Sequence, residues 1–195
     1  MFKHTLAGLI AALALGGAQA ATLYSQGGST GALNSPGSHS VAFNGNGAST
    51  GTLSFTLDGY TTLDGAGNGY DDVFHLAVNG TEVFTGAFAL GGGGANTVYL
   101  NALGAALDTT QTSPWVITGQ GGHVGFALNF SLLGGSNTLD FWYTGSAQGL
   151  GDEGWGISGA TVTAVPEPGS MALMLAGLGA MGLVSRRRQI GRAHV

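Results

Sequence analysis

Nine carboxylates lie in residues 21–164, within a stretch from Lys3 to Arg186 that has no Lys or Arg between them: Asp58, Asp64, Asp71, Asp72, Glu82, Asp108, Asp140, Asp152 and Glu153. The chemistry open to this stretch is therefore that of acids without strongly basic partners. One cluster stands out. Residues 64–72 read Asp-Gly-Ala-Gly-Asn-Gly-Tyr-Asp-Asp and set four oxygen-bearing side chains, Asp64, Asn68, Asp71 and Asp72, among glycines. Such a segment lets backbone wrap a hard cation, and Ca²⁺ is the one cofactor the residues suggest. Measured against a twelve-residue helix-loop-helix calcium loop, Asp64, Asn68 and Gly69 occupy the first, fifth and sixth positions. The third position carries no acid, and His75 stands where a bidentate Glu is needed, so that motif is excluded. An Asx-rich turn that needs no metal fits the same residues.

Two acidic pairs, Asp71-Asp72 and Asp152-Glu153, raise glycoside hydrolysis. That reaction requires carboxyl groups on opposite sides of a bond, about 5 to 9.5 Å apart. Sequence neighbours on a strand point to opposite faces, so one member of each pair has to meet across a cleft. We expect no enzyme; a polysaccharide-acting hydrolase is the most distant alternative. Gly47-Ala-Ser-Thr-Gly51 fits a nucleophile-elbow pattern without its strand-turn-helix context. The fingerprint-like run Gly177-Leu-Gly-Ala-Met-Gly182 lies inside an apolar segment, where small residues serve helix packing. His39, His75 and His123 show no metal-ligand spacing. Trp115, Trp142, Tyr143 and Trp155 suit either a sugar-stacking platform or a hydrophobic core, and core packing is the commoner use.

With no Lys or Arg in this stretch, each carboxylate must be solvated, hydrogen-bonded to N–H or hydroxyl groups, or neutralised by a cation. A surface of this sign repels phosphate backbones and excludes nucleic acid as a partner. A neutral polysaccharide remains open. Cysteine is absent, so packing rather than disulfides must carry stability.

The elements that position these groups read as strands: 21–25, 40–44, 50–57, 72–79, 81–88, 96–100, 115–118, 123–132, 138–144 and 155–164. Each is short, rich in Val, Phe, Tyr, Trp and Thr, and bounded by Gly, Asn or Asp. In Thr52-Leu-Ser-Phe-Thr-Leu57 the apolar residues share one face. Asn79-Gly80 predicts a two-residue type I′ hairpin, because both central residues need positive φ. Residues 134–137, Gly-Gly-Ser-Asn, predict a second connection, and 102–107 allow one helical turn. About ten strands without crossover helices predict an all-β, antiparallel β-sandwich of jelly-roll type over residues 21–164. A β-solenoid is the competitor, but no repeat of fixed period is present.

The two ends read as topogenic segments. Residues 1–20 combine Lys3, an apolar stretch and the small residues Ala18 and Ala20 around Gln19, the pattern of a secretory signal peptide cleaved after Ala20. Near the other end, Val165-Pro166-Glu167-Pro168 precedes the uncharged run 169–185 and the cluster Arg186, Arg187 and Arg188. The run is at the short end of what crosses a hydrocarbon core about 30 Å thick, and in lipid it must be helical. The arginines favour the cytoplasmic side, which leaves Pro166 and Glu167 outside as an extended peptide at the membrane boundary.

This order of proline-flanked acid, short apolar helix and Arg cluster resembles the PEP-CTERM sorting signal of Gram-negative bacteria that make exopolysaccharide. The resemblance covers residues 165–188 alone. It implies a membrane-embedded exosortase as processing partner, an inner-membrane intermediate, and final placement in the cell envelope or outside the cell. Residues 189–195 depart from the pattern, and the last six are expected to be read-through of a sequencing adapter. The segment Asp152-Glu-Gly-Trp-Gly156 also resembles the approach to the last strand in β-sandwich ectodomains carrying this signal. There an Asp-Asn-Val-x-Val strand follows, whereas this chain has Ser158-Gly159-Ala160. The implied role is structural or adhesive in exopolysaccharide or biofilm, with a carbohydrate-binding module, Ca²⁺-dependent or not, as alternative.

Overall fold

The computed structural model describes residues 20–112, 121–165, 177–179 and 181. Eleven strands run β1 (Thr22–Ser25), β2 (Leu33–Asn34), β3 (Gly37–Asn44), β4 (Thr50–Gly59), β5 (Val73–Val78), β6 (Thr81–Ala87), β7 (Thr97–Asn101), β8 (Ala106–Gln111), β9 (His123–Ser131), β10 (Ser136–Thr144) and β11 (Gly154–Ala164). They form two antiparallel sheets, one ordered β1-β11-β4-β9-β8 with β2 also on β11, the other β3-β10-β5-β6-β7. The architecture is an all-β sandwich.

Period-two alternation explains why these segments pair face to face. In β4, Leu53, Phe55 and Leu57 are buried, as their spacing in the sequence requires, and β9 and β10 alternate in the same way. The inner faces meet in an aromatic cluster centred on Phe126. Its ring stacks on Phe55 at 4.5 Å and receives Phe84 edge-on at 5.0 Å, with Phe74 at 5.5 Å. Offset and edge-to-face packing of this kind adds roughly 0.5–1.5 kcal/mol per pair beyond area burial. Trp155 and Tyr143 also lie in the core, 5.3 Å apart.

The hairpin predicted at Asn79-Gly80 forms, with φ of 51° and 75° at the two residues. Asn79 does more than turn the chain: its Oδ1 accepts from the Thr138 N–H, tying the turn to β10. The second predicted connection is clamped by buried Asn137, whose Oδ1 accepts from the Leu133 N–H and whose Nδ2 donates to the carbonyls of Leu133 and Gly135.

Two features differ from the sequence reading. Residues 102–107 do not form a helical turn; Asn101 Oδ1 accepts from the Ala105 N–H, and the chain then crosses to the other sheet as β8, paired with β9. The Thr-rich run from Asp108 to Thr110 favours extended backbone, and one turn of helix is too short to hold itself. β2 has only two residues, too few for any periodicity. The predicted strand 115–118 lies outside the described residues. At the departure Ser158-Gly159-Ala160, β11 carries a bulge against β4, with Gly159 at φ 62°.

The register fixes which loops share an end. Ala164 pairs with Gly51, and its N–H donates to the carbonyl of Ala21, so the first and last described strands meet at one end of the sandwich. Trp155 pairs with Gly59 and Thr144 with Val73, which places the loops β4–β5 and β10–β11 together at the opposite end.

Candidate functional site

At that opposite end, Asp64, Asp72 and Glu153 each turn a carboxylate oxygen into one volume, all within 4.8 Å of one another, and all three are buried. Asp72 ends the loop before β5, Asp64 lies earlier in the same loop, and Glu153 directly precedes β11. The two loops are zipped by the Tyr60 N–H to the carbonyl of Gly154 and the Thr62 N–H to that of Asp152. In each acidic pair the partners diverge. Asp152 is exposed and its Oδ1 accepts from the Thr62 hydroxyl at 2.8 Å, whereas Glu153 points inward. Asp71 Oδ1 accepts from the N–H groups of Gly67 and Asn68, whereas Asp72 is fully buried.

Neutral donors hold the cluster in part. Asp72 Oδ1 accepts from the Ser35 hydroxyl at 2.8 Å and Oδ2 from the Asp64 N–H at 3.0 Å. Asp64 Oδ1 accepts from Asn68 Nδ2 at 2.5 Å and from the Gly93 N–H at 2.7 Å. Glu153 Oε1 accepts from Gln148 Nε2 at 2.5 Å. Glu153 Oε2 has no hydrogen-bond partner, and neither has the buried Tyr143 hydroxyl.

The electrostatics follow from burial without compensation. Desolvation, then the charge of Asp72, pushes the Glu153 carboxyl up to about 7. Asp72 is raised for the same first reason, against the lowering effect of its bonds from Asp64 and Ser35. Tyr143 is pushed well above the usual phenol range by desolvation and by Asp72. Among the described residues the two ion pairs both use histidine: His75 Nδ1 with Glu82 at 2.6 Å and His123 Nδ1 with Asp58 at 2.8 Å. Neither reaches the cluster.

Of the four oxygen-bearing residues singled out from sequence, the structure brings Asp64 and Asp72 together. Asn68 supports Asp64, and Asp71 serves the turn. Glu153 was legible only as half of a hydrolase pair, since nothing in its local sequence points at residue 64 or 72. The pairing of Asp72 with Glu153 does occur, but inside the protein rather than across a cleft. His75 lies on β5 with its ring stacked on Trp142 at 4.9 Å. Tyr143 and Trp155 are core residues and Trp142 is capped by His75, so no sugar-stacking row forms from these three; Trp115 lies outside the described residues.

Val165 donates its N–H to the carbonyl of Thr50 at 2.8 Å, and Ala20 is exposed beside Ala21. Ala18, Pro166, Glu167, Pro168, Arg186, Arg187, Arg188 and the tail 189–195 lie outside the described residues. So does the predicted span 169–185, except for positions 177–179 and 181, which are helical. Among the described residues no helix is long and apolar enough to cross a membrane.

A comparison with curated proteins finds no match. Among solved structures, the VP2 subviral particle of infectious bursal disease virus is similar to 75% of this chain at 17% identity and a TM-score of 0.25; the match spans 30% of that chain. Residues 164–189 match the PEP-CTERM protein-sorting motif, which marks the chain as an exported protein addressed to an exosortase-type membrane enzyme.

Proposed function

We propose that the protein is a non-enzymatic β-sandwich exported to the cell envelope or extracellular matrix, where it acts as a structural or adhesive component of exopolysaccharide or biofilm. The observation that carries this reading is the position of the sorting motif: its match begins at residue 164, the last residue of β11. The address therefore follows directly on the folded domain, at the end where the chain also begins its first strand.

Three features support a scaffold over a hydrolase. The strand order of the central eight strands, β1-β11-β4-β9 over β3-β10-β5-β6, supports the jelly-roll reading, a closed sandwich with side chains filling its interior. One oxygen of Asp72 and one of Glu153 lie within 4.8 Å, too close to leave room for the water that an inverting hydrolase places between its carboxylates. Both are also buried, with no room for a sugar between them. A carbohydrate-binding role would need aromatics other than Trp142, Tyr143 and Trp155.

Intact-mass analysis of the exported form from a producing strain and from one lacking exosortase tests the sorting step. The expected mature chain ends before Arg186 in the first strain and extends past Arg188 in the second; a terminus beyond Arg188 in both refutes processing. Glycan-array binding by the exported form would move the reading from scaffold to carbohydrate-binding module.

A further inference from the structure

We infer that Asp64, Asp72 and Glu153 form a binding site for one Ca²⁺ ion that ties the loops together at the end of the sandwich away from its termini. The inference rests on the geometry of the cluster and not on the sorting reading, so either can fail without the other.

Three carboxylates within 4.8 Å, all buried, repel one another in a medium where charges interact several times more strongly than in water. Elsewhere such a group is balanced by Lys or Arg, and this chain has neither between residues 3 and 186. Hydrogen bonds from Ser35, Gln148, Asn68 and two backbone N–H groups supply neutral donors only. A second observation is independent of the acid count. The Tyr143 hydroxyl, on β10, is buried in the field of Asp72 and has no hydrogen-bond partner, and Glu153 Oε2 is likewise unpartnered. Buried oxygens left in this way are rare in folded proteins and point to a missing partner.

The donor set selects the ion. Carboxylate and hydroxyl oxygens without imidazole or thiolate suit hard cations rather than zinc or copper. Mg²⁺ dehydrates reluctantly and keeps several waters, which a buried site disfavours; Ca²⁺ accepts irregular oxygen cages. Glycines let backbone pass directly against two of the carboxylates. A Cβ at Gly92 would lie 2.0 Å from Asp64 Oδ1, and one at Gly145 would lie 2.6 Å from Asp72 Oδ1. Gly145 also lines an open surface depression with Gly67, Gly69, Tyr70, Asp71 and Ser146. Affinities of about 10⁻⁴ to 10⁻³ M suffice for extracellular calcium modules.

The test uses the full chain in mild detergent, stripped with EDTA, dialysed against CaCl₂ or MgCl₂, and followed by metal analysis and thermal unfolding. Wild type should retain one equivalent of calcium and show a saturable rise in Tm with CaCl₂ that MgCl₂ at equal concentration does not match. Glu153→Gln should bind calcium at least about tenfold more weakly, the lower end of what disturbing a metal site costs. Its Tm in EDTA should equal or exceed that of wild type, because a buried charge has been removed; this shows that the variant is folded. Asp71→Asn, which alters the turn and not the cluster, should keep the ion. Wild type without retained calcium or a calcium-dependent Tm overturns the inference, whatever the variants do. So does Glu153→Gln binding as tightly as wild type, or Asp71→Asn losing as much as Glu153→Gln.

Discussion

The Ala164 N–H donates to the carbonyl of Ala21 at 2.7 Å, so the residue at which the sorting motif begins is bonded to the residue that follows the predicted signal cleavage site. Both ends of the domain leave from one pole, and the buried carboxylates sit at the other, separated by the length of β11. At about 3.3 Å per residue that is on the order of 30 Å. A chain held at a membrane by its C-terminal segment would turn the carboxylate pole outward.

Phe126 holds the two sheets together, with Phe55, Phe84 and Phe74 around its ring. Phe126→Ala should destabilise the domain by about 3–5 kcal/mol, from lost transfer energy and the cavity left behind. Denaturant unfolding of the two proteins measures this, with an unchanged m-value expected.

Asn137 is nearly fully buried and bonds Leu133, Gly135 and Asn79 through its amide. Asn137→Asp keeps the shape but turns a donor group into an acceptor facing two carbonyls. The cost should be about 3 kcal/mol, the upper range for a buried polar group left unsatisfied. Chemical denaturation at pH 7 reads it out.

With calcium chelated, stability should depend on pH in a direction opposite to ordinary acid denaturation. The Glu153 carboxyl stands at about 7 in the folded protein, raised from 4.5 by burial and then by Asp72. Because the folded value is the higher one, its contribution is fully present below about 4.5 and is lost as pH rises through 7. The loss is about 1.4 kcal/mol for each unit between the two values. Tm in EDTA should therefore fall between these pH values, and Glu153→Gln should flatten the profile; a flat profile in wild type refutes the assignment.

Trypsin should leave residues 21–164 uncut even in urea, since Lys3 and Arg186 are the nearest cleavage sites on either side. Mass spectrometry of the digest should show the region as a single fragment, with chymotrypsin as the positive control.

Much of the fold was legible because its signals are local. Leu53, Phe55 and Leu57 announce a strand with one buried face, and Asn79-Gly80 announces the turn between β5 and β6, since both signals depend on residues next to one another or two positions apart. β8 was not legible, because its own residues, largely exposed, carry a weak alternation. The candidate site divides in the same way. Asp64 and Asp72 share a loop and were visible as a cluster, whereas Glu153 joins them only through the pairing of β11 with β4 and of β10 with β5.

By itself the sequence determined the terminal address and the electrostatic problem: with no Lys or Arg across the domain, every acid has to be solvated, hydrogen-bonded or met by a cation. Which acids are solvated and which are trapped was decided by tertiary structure alone. Asp152 is exposed and Asp71 half-buried, while their neighbours Asp72 and Glu153 are buried, because the turn in which the Asp152 and Glu153 N–H groups both donate to the Gly149 carbonyl, and the loop bonded from Gly67 and Asn68 to Asp71, are docked on each other at this end of the sandwich.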